Sequence, residues 1–292
     1  MGREPSVGVM RGLEVRTEAL ATTFDAQSVA NTLWAYATMG REPSAGVMRG
    51  LEVRAEALAP TFTEQDVANT LWARCVLATM TEVSNSLVYV LSCRLLSLGK
   101  ASCLNDVQLS QLHQSFLSCS MEEKLCEEAF HAMPADLKDV CHSAFVHGSV
   151  TTLSVTQQQV SETLQKMGLS VEDEVRCPKS GYTIDMLVHS ASAMEVAGIG
   201  TGGTWAVEFD GPSHFLACSR EVGEGEGQLG RSPTGATLLK RRHLQLLGYA
   251  LVSVPYWEWD ACKGAGKREQ YLWLKLGECG PARGANIVTC DM

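Results

Sequence analysis

Two carboxylates and an imidazole close a segment of alternating character, Trp205-Ala206-Val207-Glu208-Phe209-Asp210-Gly211-Pro212-Ser213-His214-Phe215. The alternation reads as a strand and Gly-Pro as its stop. That sets Glu208, Asp210 and His214 where a sheet opens to solvent, a place where function tends to gather. Asp185, in an earlier strand-like segment, adds a third carboxylate. Clustered carboxylates can hold a divalent ion, or they can simply pair with nearby cations. Such cations follow on a helical stretch, Lys240-Arg241-Arg242-His243. Successive helical residues are rotated by about 100°, so at most two of Lys240, Arg241 and Arg242 can face one ligand. A last strand closes on Tyr256-Trp257-Glu258-Trp259. Read as an extended segment, this places Trp257 and Trp259 on one face, where they can stack on bases or cover the sheet as an apolar lid. Acidic strand end, basic helix and aromatic strand end together describe a site for a polyanion, which it either cuts or holds.

The elements that must position these residues follow from local signals. Ser154 to Lys166 reads as a helix ending at Gly168. Val171 to Val175 and Tyr182 to Val188 read as strands joined by the turn Pro178-Lys179-Ser180-Gly181. Ser190 to Thr204 is a small-residue loop, Trp205 to Asp210 the third strand, and Ala217 to Arg231 a Gly/Glu-rich loop. Ser232-Pro233 suits a helix start and Gly248 a stop, with Leu239, Leu246 and Leu247 expected in the core. Tyr249 to Pro255 is the fourth strand and Lys267 to Leu276 a final helix. The order is helix, three strands, helix, strand.

The N-terminal half is built differently. Residues 1–38 and 39–76 match at 29 of 38 positions, a direct tandem repeat. Each copy reads as two helices. In the first helix Val9, Met10, Leu13, Arg16 and Leu20 form a stripe. The second starts at Asp25 or Thr63, after Phe24 or Phe62. Trp34 and Trp72, at matching positions, are expected in the core between repeats, because a repeat cannot bury its face without a neighbour. A diverged third unit is suggested by Val107 to Gln114, which can be laid on Asp66 to Ala73. The recurrence of Met1-Gly2-Arg3-Glu4-Pro5 as Met39-Gly40-Arg41-Glu42-Pro43 suggests that the chain opens inside an array truncated at its start. The division expected is helical repeats over 1–150 and an α/β domain over 151–278.

The chain has 292 residues, 45% of them hydrophobic, and a net charge of −9, so no global field draws it to nucleic acid or anionic membrane. A local patch exists: from Pro233 to Leu276, seven Lys/Arg against three Asp/Glu give 7 − 3 = +4. No apolar run reaches the roughly 18 residues of a bilayer span, so no membrane is expected. Eleven scattered cysteines contain no Cys-x-x-Cys and read as buried apolar residues in a reducing compartment. Cys141-His142 with His147 is the nearest approach to a ligand cluster.

Residues 182–276 resemble the RAP domain, a module of organellar RNA-processing proteins that include the FAST-kinase and octotricopeptide-repeat families. The matching blocks are Ile184-Asp185, Val207 to Phe215, Leu239 to Leu244 with Gly248-Tyr249, and Val254 to Trp259. The resemblance implies a nuclease-like core of PD-(D/E)xK type (restriction-endonuclease-like) behind an α-helical repeat solenoid. It also implies single-stranded RNA as partner, with other RNA-processing proteins beside it, in mitochondrion or chloroplast. In the nuclease pattern Asp185 and Glu208, with Asp210, would hold magnesium or manganese. Asp210, however, stands where that pattern has lysine, and a developing phosphate charge then lacks a stabiliser unless Lys240 supplies it. The expected function is RNA binding in organellar RNA processing or stability, through His214, Lys240, Arg241, Arg242, Tyr256 and Trp257. A metal-dependent endoribonuclease using Asp185, Glu208, Asp210 and Lys240 is the first alternative and a protein-interaction scaffold the second.

Overall fold

The computed structural model describes residues 5–77, 85–99, 104–122, 128, 131–148, 153–189, 204–217 and 231–279. The described chain is mostly helical, with one four-stranded sheet toward the C-terminus. By contacts it divides into two compact units, one of residues 1–148 with 214–239 and one of residues 149–213 with 240–292. Residues 214–239, expected with the α/β domain, thus cluster with the helices. Much of the small-residue loop (190–203) and of the Gly/Glu-rich loop (218–230) lies outside the described residues.

In the first unit, α1 (Val7–Leu20), α2 (Ala26–Thr38), α3 (Ala45–Leu58) and α4 (Glu64–Leu77) come from the two sequence copies. After them come α5 (Asn85–Leu98), α6 (Asp106–Met121) and α7 (Ala135–Gly148). Local chemistry starts these helices. The side chains of Ser6, Asp25 and Ser44 accept from backbone N–H groups of the first turns, and Asn105 forms a reciprocal capping box with Gln108. First helices pack on first helices, α1 on α3 and α3 on α5. Second helices pack likewise, α2 on α4 and α4 on α6. Two matching hydrogen bonds tie the rows together: Arg54 Nε donates to the Phe24 carbonyl at 2.7 Å, and Arg94 Nε to the Phe62 carbonyl at 2.9 Å.

Identical residues meet different fates in the two copies. Trp72 is buried, its Nε1 donating to Gln114 Oε1 at 2.8 Å, whereas Trp34 is 40% exposed and is not the core residue expected. Of the expected α1 stripe, Met10 is buried, but Val9 and Leu13 are exposed. The residues that correspond to them in the second copy, Val47 and Leu51, are fully buried. Among the described residues, no helix is long and apolar enough to cross a membrane. The described cysteines form no disulfide with one another. Cys75, Cys119, Cys141 and Cys177 are buried as expected, while Cys93 and Cys279 are exposed. Burial pushes the Cys141 thiol up to about 12, and Cys141, His142 and His147 do not assemble a metal-binding group.

The second unit begins with α8 (Val155–Lys166), capped by Ser154, followed by β1 (Ser170–Arg176), β2 (Thr183–His189) and β3 (Thr204–Asp210). Then come α9 (Gly235–Leu246), divided between the units after Leu239, and β4 (Ala250–Pro255), α10 (Tyr256–Ala261) and α11 (Ala265–Cys279). Helix, three strands, helix, strand is the order read from the sequence. The sheet runs β1-β2-β3-β4, antiparallel except for the parallel pair β3–β4. One face of the sheet (Met186, Val188, Trp205, Val207, Val252 and Val254) forms a core with residues of α8, α10 and α11. Alternation then sends Asp185, Glu208, Asp210 and Ser253 to the opposite face.

Three details of this region differ from expectation. Helix α9 starts at Gly235 rather than at Ser232-Pro233, because Thr234 Oγ1 accepts from the Thr237 N–H, while Pro233 bridges to Phe215. A Cβ at Gly235 would stand 1.7 Å from the Ala37 carbonyl oxygen, so only glycine fits there. Leu246, expected in the core, is 48% exposed, whereas Leu239 and Leu244 are buried. Gly248, at φ 91°, ends α9 as anticipated.

Candidate polyanion site

Three carboxylates and two cations meet on the sheet face opposite the α8/α11 core. Asp185 Oδ2 accepts the Phe209 backbone N–H at 2.8 Å. This bond continues the β2–β3 pairing past Met186↔Val207, where the backbone ladder stops, so Asp185 clamps the two strands together. Glu208, almost wholly buried, accepts a very short hydrogen bond from Lys240 Nζ of α9. Asp210, equally buried, accepts Arg241 Nη2 at 2.6 Å. Ser253 of β4 joins them: its hydroxyl donates to Asp210 Oδ2 and accepts Arg241 Nη2 at 2.8 Å. The parallel register places Glu208 beside Ser253 and Asp210 beside Pro255, so the cluster lies at the C-terminal ends of β3 and β4. Ligands of α/β sheets commonly bind at such ends.

Burial dominates the electrostatics. It raises Asp185 to about 6, against the lowering effects of Lys240 and the Phe209 N–H. Burial likewise raises Glu208 to about 8, with Lys240 opposing. Desolvation also penalises the Lys240 ammonium, but Glu208, Asp185 and Asp210 outweigh it and hold its pKa above the ordinary lysine value. The short contact therefore joins a charged Lys240 to a Glu208 carboxyl that burial pushes toward its protonated form. Its net worth is small beside the cost of breaking it, because a charge buried without its partner is expensive. Glu208 Oε1 and Arg241 Nε are buried without a hydrogen-bond partner.

The residues picked out in the sequence are thus partly gathered. Asp185, Glu208, Asp210, Lys240 and Arg241 come together, and Tyr256 and Trp257 follow directly from β4. Those rings are half-buried and meet edge to face with centroids 5.2 Å apart. Arg242 is half-buried on α9, and the next residue, His243, is fully buried with Nδ1 3.2 Å from the Tyr182 hydroxyl. His214 belongs to the first unit, where its carbonyl accepts the Thr234 N–H at 2.9 Å and the Thr237 hydroxyl at 3.1 Å. The extended Trp257/Trp259 face does not exist. Tyr256–Ala261 is helical, and Trp259 is fully buried under Arg268, whose guanidinium lies 4.6 Å from the ring. Pro255 is the N-cap residue, so the chain turns into helix where the strand ends.

As potential metal ligands, Asp185, Glu208 and Asp210 are not assembled. Among the described residues no group of three or more His, Cys, Asp or Glu side chains is gathered as an ion would need. Lys240 and Arg241 already occupy Glu208 and Asp210, so a divalent ion fits only by displacing them. Two participants were missed in the sequence. Ser253 is a lone hydroxyl in the apolar run Ala250 to Val254, and that anomaly was its signal. Glu174, which the β1–β2 register sets opposite Asp185, has φ 54°, a left-handed backbone costing about 1–3 kcal/mol for such a residue. Nothing in its local sequence announces this.

Residues 207–273 match the RAP domain family model. The chain is 35% identical over 98 residues to a "RAP domain-containing protein, chloroplastic" of Oryza sativa subsp. japonica, covering 33% of this chain and 12% of that protein. It is 25% identical over 198 residues to "FAST kinase domain-containing protein 3, mitochondrial" of Rattus norvegicus, covering 61% of this chain and 26% of that protein. The Bos taurus protein of the same name is 26% identical over 196 residues. The chain therefore spans about a quarter of the length of the FAST kinase domain-containing relatives and 12% of the chloroplastic one. Across residues 207–273 it carries a RAP domain.

Proposed function

We propose that this chain binds single-stranded RNA in a mitochondrion or plastid and acts in processing or stabilising transcripts, holding the RNA rather than cutting it. The observation that carries the reading is the end of the parallel β3–β4 pair. There a cationic helix is fixed on buried carboxylates, and the half-buried aromatic pair Tyr256–Trp257 follows in the chain. Aromatic faces stack on bases without regard to sequence, and neighbouring cations attract the backbone. The first unit, with like helices packed on like, is read as an α-helical repeat array that adds length to the RNA track and offers a surface to other RNA-processing proteins. The RAP domain and the chloroplastic and mitochondrial relatives support the organellar setting. The test is binding of a labelled single-stranded RNA by the full chain. Trp257→Ala should weaken it by about 1–3 kcal/mol, the worth of one stacked base. Binding unchanged in both Trp257→Ala and Tyr256→Ala overturns the reading.

One observation favours cutting as a second reading. Lys240 meets Glu208 directly, so the helix supplies the lysine that β3 lacks at Asp210. An endoribonuclease of PD-(D/E)xK type built on Asp185, Glu208, Asp210 and Lys240 would cleave RNA only with magnesium or manganese. Cleavage should then vanish in Asp185→Asn and Glu208→Gln; activity persisting in both removes this site from consideration.

A further inference from the structure

The two near-identical sequence copies allow a like-for-like comparison of one helix in two settings. In α3, a Cβ at Gly46 would stand 2.3 Å from the Glu18 carboxylate, and one at Gly50 would stand 3.1 Å from the Ala21 Cβ. Arg54, on the same face, donates to the Phe24 carbonyl. The first copy therefore seats α3 through its two glycines and an arginine. In α1 the same positions are Gly8, Gly12 and Arg16. A Cβ at Gly8 or Gly12 would meet nothing within 4 Å, and Arg16 is exposed.

The apolar residues of the face behave in the same way. Val9 and Leu13 are 55% and 52% exposed, whereas Val47 and Leu51 are fully buried. Other positions serve as controls. Met10 and Met48 are both 2% exposed, and Val15 and Val53 are 67% and 64% exposed. Only the one face differs, so the contrast reflects the missing neighbour and not a change in the helix. The arrangement extends forward as well, since Arg94 of α5 takes the Phe62 carbonyl as Arg54 takes that of Phe24.

We propose that this face of α1 is a docking surface for one further helix-pair unit, joined in tandem ahead of it as residues 1–38 are joined ahead of residues 39–76. The unit that fits ends in a turn with an untaken carbonyl for Arg16, and it closes over Gly8 and Gly12 with small or flexible side chains. A second copy of this chain does not offer that turn through these units, because its Phe24 and Phe62 carbonyls are already occupied by Arg54 and Arg94. The inference does not depend on what the RAP domain binds.

The test joins one extra copy of residues 1–38 ahead of the full chain and compares thermal melting with and without it. The docked unit should raise the melting temperature by on the order of 5 °C, as adding an interface does in repeat proteins. Gly12→Leu should leave the melting of the unextended chain unchanged or slightly higher, yet cancel the gain in the extended one. Gly50→Leu should lower melting in both. No gain on extension, or equal tolerance of Gly12→Leu in both forms, overturns the proposal. So does a dimer of the unextended chain in ultracentrifugation that Leu13→Arg abolishes, since a second copy would then be the occupant.

Discussion

Each carboxylate of the cluster has a different job, set by what it touches. Asp185 ties β2 to β3, Glu208 anchors Lys240, and Asp210 holds Arg241 together with Ser253. Arg241→Ala would remove the guanidinium that buried Asp210 faces, and the loss should be roughly 3–5 kcal/mol by denaturant titration. A loss below about 1 kcal/mol would mean that Asp210 is hydrated and the pair is superficial. Asp185 gives a pH signature. Its carboxyl is raised from 3.8 to about 6, so its contribution to stability is complete below about pH 4 and disappears as pH rises through 6. Asp185→Asn keeps an oxygen for the Phe209 N–H but has no proton to lose. It should therefore flatten the fall in denaturation midpoint between pH 4 and 6. Glu208, raised from 4.5 to about 8, acts with the same sign over a higher window. An undiminished fall in the Asp185→Asn variant would assign the titration elsewhere.

At the scale of elements, strand and helix boundaries were legible wherever a local signal decides them. Ser154, Asp25 and Gly248 end or begin helices where the sequence placed them, because capping and left-handed turns depend on nearest neighbours. The segment Tyr256 to Trp259 was misread because alternating aromatics suit a strand as well as one turn of helix. Burial of Trp259 against the sheet decided for helix. The two tryptophans of the repeat make the same point by experiment. Trp72→Ala should cost about 3–5 kcal/mol, the range for a large buried aromatic. Trp34→Ala, at the matching but 40% exposed position, should cost about 1 kcal/mol. Equal losses in urea titrations would show that Trp34 is covered in solution.

For the whole molecule, the net charge of −9 and the local patch of seven cations act together. Four of those cations have partners inside the second unit: Lys240 and Arg241 on carboxylates, Lys275 on Glu258, and Arg268 on the Cys262 carbonyl and the Trp259 ring. If Lys263 and Lys267 make the phosphate contacts, RNA affinity should fall with log salt at a slope of roughly −1.4. A slope near roughly −5 would mean that the paired cations leave their carboxylates for phosphate. The sequence by itself determined the element order, the repeat, the composition of the cluster and the RAP resemblance, all of which rest on local pattern or residue identity. Only the tertiary structure decided which copy of each repeated residue is buried, that Lys240 takes Glu208 while Arg241 takes Asp210, and that Ser253 joins them. Nearly identical segments with different exposure give the physical reason. Burial and charge pairing are properties of the neighbour that packs against a residue, and that neighbour lies far away in the chain.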